Sequence, residues 1–355
     1  MMPTRRAALR LLAGACAAPG FARAQGFAGL GSDAQGYAVP DPRRALVFPT
    51  DHGPHPRFRI EWWYITANLT GPDGAVYGIQ WTLFRQAIAP DPQATGWGAS
   101  DLWLAHGAVT SAGAHRSAEQ FARGGVGQAG VVAGPPFAAY IDDWALAGGD
   151  LAGHGAPLTL TANGPRFSYA LTLSADGPLA LHGDGGFSVK SDRGQASRYY
   201  SQPWYQAAGQ ITIDGADTAV TGRAWLDREW SSQPLAADQD GWDWFSLRLP
   251  SGAALMLFRL RHTDGGHFLS GSWIAPDGTT EVVLAADIAL TPLAHAEVAG
   301  RMVPTRWRIE VRSRGVDQVL TPLNQDAWMD TSFAYWEGPV QGDAGAIGYL
   351  EMTGY

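Results

Sequence analysis

One stretch rich in alternating aromatic residues constrains the fold of this chain more than any other, Arg59–Arg85, which reads RIEWWYITANLTGPDGAVYGIQWTLFR. Apolar side chains alternate on both sides of the turn signal Gly71–Gly74, and this pattern predicts a β-hairpin. Trp62 and Trp63 are adjacent, so they point to opposite faces of one strand. At least one of them therefore needs cover from a second layer of the protein or from a ligand.

The composition indicates a turn-rich β protein. The chain has 355 residues, enough for two domains, and its 45 glycines and 23 prolines follow no period. The formal net charge of −8 argues against nucleic acid as a partner, because phosphate binding needs a basic face. The 15 tryptophans suit the walls of an apolar ligand site, although large β cores also use them.

Residues 1–24 have the pattern of an export signal. A twin-arginine pair at Arg5–Arg6 precedes a short apolar run, Leu11–Ala18, and an A-x-A cleavage site at Ala22–Ala24. We expect twin-arginine export to the periplasm or beyond and a mature protein that is soluble. The alternatives are an ordinary first helix and a lipid anchor at Cys16, whose context loosely resembles an acceptor site.

Residues 25–56, which end in Asp-His-Gly-Pro-His-Pro, are predicted to form an extended lead-in. His52 and His55 could bind a metal, but prolines fix an irregular backbone there and no third ligand is adjacent, so we predict no metal. Gly125–Gly130 has the glycine spacing of a dinucleotide loop. No strand pattern precedes it and no helix pattern follows, so we predict a flexible loop and no cofactor.

The second half of the chain repeats the first in outline. Gly241–Leu249 is an aromatic-led strand followed by a turn and a return strand, and both return strands finish on Leu-Phe-Arg, at Leu83–Arg85 and Leu257–Arg259. The repeat predicts an all-β fold of two consecutive antiparallel β-barrel domains, 57–215 and 216–355. Closing each meander removes its exposed edges and leaves an apolar pocket, either inside a barrel or between the two.

The densest cluster of polar and aromatic residues is Thr221–Ser232. Alternation places Trp225, Asp227 and Glu229 on one face of a strand and Leu226, Arg228 and Trp230 on the other. Between aromatic neighbours the Asp227 carboxyl would lose water, its pKa would rise, and it could serve as a Brønsted acid. Alternatively, Asp227 and Glu229 form structural ion pairs with Arg223 or Arg228.

Two further clusters are aromatic. Arg198–Tyr205 holds four aromatic side chains that could wall a pocket and stabilise a cation, or could form a core seam between domains. Asp330–Gly338 is expected to close the second barrel. The sequence contains no Gly-x-Ser-x-Gly elbow and no His-Glu-x-x-His helix, which removes the common serine and zinc hydrolases.

Five segments together resemble the AttH and carotenoid 1,2-hydratase (hydroxyneurosporene synthase) family: Glu61–Tyr64, Tyr199–Ser201, Ala224–Trp230, Tyr335–Gly338 and Gly348–Tyr355. The resemblance implies two lipocalin-like barrels and an apolar ligand. In the hydratases of that family, an aspartate protonates a terminal isoprenoid alkene and water captures the cation, without a cofactor. Asp227 matches that aspartate and Trp225 stands where those enzymes carry an aromatic residue. Those enzymes also carry a histidine and a tryptophan upstream, where this chain reads Arg-Tyr-Tyr.

The resulting hypothesis is an exported protein that binds an isoprenoid- or lipid-like molecule and hydrates it, with Asp227 and Trp225 as catalytic residues. The predicted ligand-binding residues are Tyr199, Tyr200, Trp62, Trp63, Glu229, Trp242 and Trp244. The competing hypothesis, also implied by the resemblance, is a non-catalytic periplasmic binding or chaperone protein that serves an ABC-type lipid or lipoprotein exporter, with the transporter permease as its partner.

Overall fold

The computed structural model describes residues 34–90, 95–153 and 155–355. The predicted export signal, including Cys16, lies outside the described residues, as does the start of the predicted lead-in. Where it is described, from residue 34 to residue 56, the lead-in is irregular backbone with a short 3-10 helix at Thr50–His52.

The described chain is almost entirely β-structure, and Gly96–Gly98, Ala285–Asp287 and Arg312–Arg314 form further 3-10 helices. The strands of the first sheet are β1 Ile60–Thr70, β2 Val76–Ala87, β3 Asp101–Ser111, β4 Ala114–Arg123, β5 Ala129–Val132, β6 Phe137–Ile141, β7 Trp144–Gly148, β8 Leu158–Gly164, β9 Phe167–Ala175, β10 Ala180–Leu181, β11 Phe187–Val189, β12 Ala196–Ile213 and β13 Ala216–Ser231. The strands of the second sheet are β14 Gln239–Arg248, β15 Ala254–His262, β16 His267–Ile274, β17 Thr280–Val283, β18 Ile288–Val298, β19 Arg301–Val311, β20 Val316–Pro322, β21 Trp328–Met329, β22 Tyr335–Gly342 and β23 Ile347–Met352.

The two sheets form a near-barrel and a half-barrel, which confirms the predicted all-β, lipocalin-like fold. The first sheet runs in the order β4-β3-β2-β1-β13-β12-β9-β8-β7-β6-β5 and curls until β3 and β4 lie against β6 and β8. The second sheet runs β17-β16-β15-β14-β23-β22-β20-β19-β18. β1 and β2 form the predicted hairpin around the turn at Gly71–Gly74.

Both halves share one strand order, which supports the repeat seen in the sequence. In each, a four-strand meander is joined to the last strand of its own half, so that β1 pairs with β13 and β14 pairs with β23. The predicted division at residue 215 is therefore too early for the sheets. It falls in the turn between β12 and β13, which pair with each other, and the chain changes sheet only after Ser231.

The interior of the first barrel is filled. Its side chains include Trp63, Trp81, Trp144, Tyr200 and Trp230, all fully buried. A separate cluster with Phe245 and Trp307 packs inside the second sheet. A third cluster, which includes Tyr64, Tyr199, Trp225, Trp244 and Phe258, joins the outer face of the first sheet to the second sheet. Space for an apolar ligand therefore lies between the two sheets and not inside the first barrel.

The lead-in closes one end of the first barrel through buried polar contacts. His52 Nδ1 lies 2.6 Å from the Tyr200 hydroxyl, and His55 lies between the carboxyls of Asp51 and Glu61. Within residues 34–90, 95–153 and 155–355, no group of three His, Cys, Asp or Glu side chains is placed to hold a metal. In that same part of the chain, no helix has the length and apolar character needed to cross a membrane. Residues 125–128 lie in the turn between β4 and β5, and Gly130 belongs to β5. A strand therefore does precede this segment, contrary to the prediction, but the segment leads into a strand and not into a helix.

Candidate functional site

A cavity of about 290 Å³ lies between the two sheets. The first sheet contributes β12, β13, β1, β2, β3 and β4, and the second contributes β14, β15, β22 and β23. Its walls are largely aromatic and aliphatic, and the carboxyl groups and the amine among the lining residues are those of Asp227, Glu229, Glu351 and Lys190. An apolar cavity with a few convergent polar groups is the usual form of a small-molecule site.

The floor of the cavity is a row of paired residues on one face of the first sheet. Residues that pair across neighbouring strands share a face, and the row runs Tyr199, Glu229, Trp62, Phe84, Leu104, Phe121. Four interstrand steps of about 4.8 Å separate Glu229 from Phe121, or roughly 19 Å. The floor of the cavity is therefore elongated across the strands of the first sheet.

One end of this cavity reaches the protein surface. Phe121 is 47% exposed and Leu102 is 37% exposed, and both lie where β3 and the edge strand β4 meet the cavity. At the other end, Tyr199 and Asp227 are buried. A molecule that enters past Phe121 thus meets apolar walls first and the acidic groups last.

Asp227, at the closed end, is a buried carboxyl held by three donors. Its Oδ1 accepts from the Ser201 hydroxyl and from Trp225 Nε1 at 2.7 Å, and its Oδ2 accepts from the Tyr199 hydroxyl at 2.9 Å. Burial raises the pKa of Asp227 to about 7, against the pull of these hydrogen bonds, and the charge of Glu229 adds to the rise. Asp227 can therefore hold a proton near neutral pH, as an acid must.

A buried histidine continues this hydrogen-bonded chain. His182 Nε2 lies 2.6 Å from Ser201 Oγ, and its Nδ1 lies 2.9 Å from the Ser272 hydroxyl of the second sheet. Burial and the nearby Lys190 lower the pKa of His182 to about 3, so the ring stays neutral. With Asp227 ionised, His182 donates from Nε2 to Ser201. When Asp227 takes a proton on Oδ1, each hydrogen bond of the chain can reverse its donor and acceptor. The neutral His182 ring can therefore serve both protonation states of Asp227.

Replacing Ser201 by Ala should raise the pKa of Asp227 further. The variant removes a donor to the ionised carboxylate, and a hydrogen bond to a charged group contributes about 1.5–3 kcal/mol, which corresponds to about one to two pKa units. The titration is followed by the infrared band of the protonated carboxyl, assigned by its loss in Asp227→Asn. Ser197→Ala is the matched control, because Ser197 is buried on the same strand and its Oγ has no hydrogen-bond partner among the described residues. An unchanged or lowered pKa in Ser201→Ala would contradict this account of the site.

Beside Asp227, Lys190 and Glu229 form an ion pair within the cavity wall. Lys190 Nζ lies 3.0 Å from Glu229 Oε1 and rests over the rings of Tyr199 and Phe258, at 4.7 and 4.3 Å from their centroids. Neither the arginine pairing considered for Asp227 nor that considered for Glu229 occurs, since Arg228 binds Glu61 and Arg223 binds Asp176. The pair leaves the closed end without a net local charge from these two side chains.

The structure brings most of the predicted site residues together. Trp62, Tyr199, Asp227, Glu229, Trp242 and Trp244 all line the cavity. Trp225 is not in the lining and stands behind Asp227 as a hydrogen-bond donor. Trp63 and Tyr200 were wrongly assigned to the ligand site, because alternation turns both into the filled interior of the first barrel.

Several site residues are not among those predicted from the sequence. Ser201 shares a face with Tyr199 by simple alternation, so its position could have been read from the strand pattern. His182 and Lys190 follow the very short strands β10 and β11, where no periodicity marks them. Glu351 reaches the cavity from the last strand of the second sheet, and only the packing of the two sheets reveals it.

Comparisons with known proteins agree with this architecture. The AttH-like family matches residues 39–355. A crystal structure of an AttH candidate from Nitrosomonas europaea is 34% identical, with a TM-score of 0.79, and the match covers 90% of this chain and 99% of that one. Kievitone hydratase from Nectria haematococca shares the fold at 12% identity, with a TM-score of 0.61 over 89% of this chain and 94% of that one. No curated protein gives a significant sequence match.

The extent of the family match leaves little of the described chain outside it. It takes in every strand of both sheets and all residues of the cavity. The resemblance read from the aromatic segments is thereby confirmed, and the chain belongs to the AttH-like family.

Proposed function

We propose that the protein binds a linear, isoprenoid-like molecule in the cavity between its sheets and adds water across the terminal double bond. The observation that carries the proposal is the placement of Asp227, a carboxyl with a pKa raised to about 7, at the closed end of an apolar cavity. The likeness to kievitone hydratase concerns the fold alone. An ABC-type permease as partner and export to the periplasm stay predictions.

The chemistry needs only water as a second reactant. Asp227 gives its proton to the CH carbon of the terminal double bond, the π electrons form the new C–H bond, and a tertiary cation remains on the dimethyl-substituted end carbon. Tyr64, Trp62 and Trp244 line the cavity around this end, and aromatic faces stabilise cations by about 0.5–2 kcal/mol each. A water oxygen then bonds to the cation and loses a proton. The product is a tertiary alcohol.

The shape of the cavity sets the orientation of the ligand. The apolar end of the ligand enters first and reaches Asp227. Any hydroxyl head group stays at the mouth near Phe121, where it keeps its hydrogen bonds to water. An extended chain advances about 1.2 Å per bond, by analogy with the reach of an extended backbone. Geranylgeraniol, with 16 bonds along its length, would thus span about the same distance as the cavity floor.

The test uses geraniol, farnesol and geranylgeraniol as probes. Binding is measured by native mass spectrometry and by quenching of tryptophan fluorescence, and hydration by incorporation of ¹⁸O from labelled water into the product. Binding with ¹⁸O incorporation supports the proposal. Binding of the probes without any hydrated product would leave a carrier and overturn the enzymatic part, whereas failure of every probe to bind would overturn both parts.

Replacing Leu104 by Trp should shorten the usable cavity. Leu104 lies three interstrand steps from Glu229, or roughly 14 Å, so a larger side chain there obstructs only the outer part. Each CH₂ kept out of the cavity costs about 0.8 kcal/mol, so exclusion of two weakens geranylgeraniol binding by about tenfold. Geraniol affinity should stay unchanged. Leu293→Trp on the exposed part of β18 is the control, and equal losses for all probes would contradict the orientation.

A further inference from the structure

A second carboxyl, that of Glu351, enters the same cavity from the opposite sheet. Glu351 lies on β23, and both Glu351 and Asp227 line the cavity. Trp242 Nε1 donates to Glu351 Oε1 at 2.5 Å and fixes the carboxyl on its side. No described residue donates to Oε2, so this oxygen is available to a molecule in the cavity.

The surroundings of Glu351 make it a proton acceptor near neutral pH. Burial raises the pKa of Glu351 to about 7, and the charges of Asp227 and Glu229 add to the rise. Two interacting carboxyls with similar pKa values titrate as a pair, and loss of the first proton makes loss of the second harder. Near neutral pH the pair therefore tends to carry one proton, so that one carboxyl can donate while the other accepts.

The other acids near the cavity are already engaged. Glu229 is bound to Lys190 at 3.0 Å. Glu337 accepts from the Tyr64 hydroxyl, interacts with Tyr335 and does not line the cavity. Besides Asp227, Glu351 is thus the cavity-lining carboxyl of the described residues that has no cation bound to it.

We infer that Glu351 is the base that holds the attacking water and takes its proton, with the water placed between the two sheets. This inference rests on the proposed function. Asp227 loses a proton to the alkene, the water oxygen bonds to the cation, and Glu351 gains the proton that the water releases. The sum is addition of H and OH to the double bond, and return of the proton from Glu351 to Asp227 restores the starting state.

The two steps can be separated by isotopes. In D₂O, protonation by Asp227 and return of the cation to the alkene leave deuterium in geranylgeraniol, whether or not water is captured. We expect Glu351→Gln to retain this deuterium uptake while hydration, followed by ¹⁸O, falls by about 100-fold. Asp227→Asn should lose both signals. Glu297→Gln, an exposed change on β18, should lose neither.

Chemical rescue distinguishes a base from a structural residue. Glu351→Ala removes the carboxyl, and added formate should restore hydration in this variant but not in Asp227→Asn. Binding of geranylgeraniol, measured alongside, reports that both variants are folded.

Hydration at the wild-type rate in Glu351→Gln, or parallel loss of deuterium uptake and hydration, would overturn the role of Glu351 while leaving the proposed function in place. A wild-type protein that neither hydrates nor exchanges would instead remove the proposed function, and this inference with it.

Discussion

Asp227→Asn is expected to lower hydration of geranylgeraniol by about 100-fold or more, because loss of a positioned general acid typically costs two to four orders of magnitude. The binding of the probe should change little. Asn has nearly the shape of the carboxyl, and its amide can fit the three existing donors. The amide oxygen accepts from Ser201 and Trp225, while its NH₂ group donates to the Tyr199 hydroxyl, which also accepts from Trp244 Nε1 at 3.1 Å.

The variant also tests whether Asp227 is buried as a neutral group. Its folded-state pKa is raised to about 7 from an unfolded value of about 3.9. The stability associated with the neutral form is thus fully present below the unfolded value, declines as pH rises above it, and is lost once pH passes about 7. Asn cannot ionise. The thermal stability of Asp227→Asn relative to the wild type should therefore be higher at pH 8 than at pH 5.

The measurements are the ¹⁸O hydration assay, fluorescence binding and thermal unfolding at both pH values. Hydration by the wild type should itself decrease above about pH 7, as Asp227 ionises. Asp317→Asn, an exposed change on β20, controls for the loss of a carboxylate elsewhere. Full turnover in Asp227→Asn would remove Asp227 from the mechanism, and a variant whose stability relative to the wild type is no higher at pH 8 than at pH 5 would contradict its burial as a neutral acid.

The sequence was sufficient for the fold and for the face that carries the acid. Strict alternation put Asp227, Glu229 and Trp225 on one side of β13, and the structure agrees. Alternation alone says only that a strand has two faces, and not which of them meets a filled core. Trp63 and Tyr200 were misassigned for this reason, since their aromatic character fits either environment.

Other features depend on distant parts of the chain. The boundary at 215 was placed before β13 because the local sequence does not show that β13 pairs with β1, more than 150 residues earlier. Glu351 and Asp227 line the same cavity only because the two sheets pack against each other, and no spacing in the sequence encodes that arrangement. Local patterns therefore predicted the strands and their faces, whereas the complete site required the packing of the sheets.

The largest effect on stability is expected from Glu61→Gln, at the barrel end covered by the lead-in. Glu61 is fully buried and binds two arginines, Arg85 through Oε1 and Arg228 through Oε2. It also accepts from the His55 backbone N–H at 2.9 and 3.0 Å. Removing one partner of a buried ion pair costs about 3–5 kcal/mol, because the remaining charge stays buried without compensation.

Of the two arginines, Arg228 would be affected more strongly by this substitution than Arg85. Arg85 retains Asp101 at 2.7 Å, whereas Arg228 would keep only neutral acceptors, such as the carbonyl oxygens of Gly53 at 2.6 Å and Glu229 at 3.0 Å. The free energy of unfolding, from urea titration, should fall by about 3–5 kcal/mol. Asp317→Asn, which breaks an exposed pair with Arg308, should hardly change it.

The acid dependence gives an independent check on the same residue. Burial alone would raise the pKa of Glu61, but the charges of Arg85 and Arg228 outweigh it and hold the pKa well below its ordinary value. A depressed folded-state pKa gives stability that is present above the unfolded value of about 4.3 and lost as pH falls. The difference in free energy of unfolding between the wild type and Glu61→Gln should therefore be constant near neutral pH and shrink as pH falls below about 4.

Because His55 links Glu61 to the lead-in, hydrogen exchange in residues 50–56 should also accelerate in the variant. A loss of stability no larger than that of Asp317→Asn, or one that does not depend on pH in the acid range, would show that this cluster does not hold the barrel end closed.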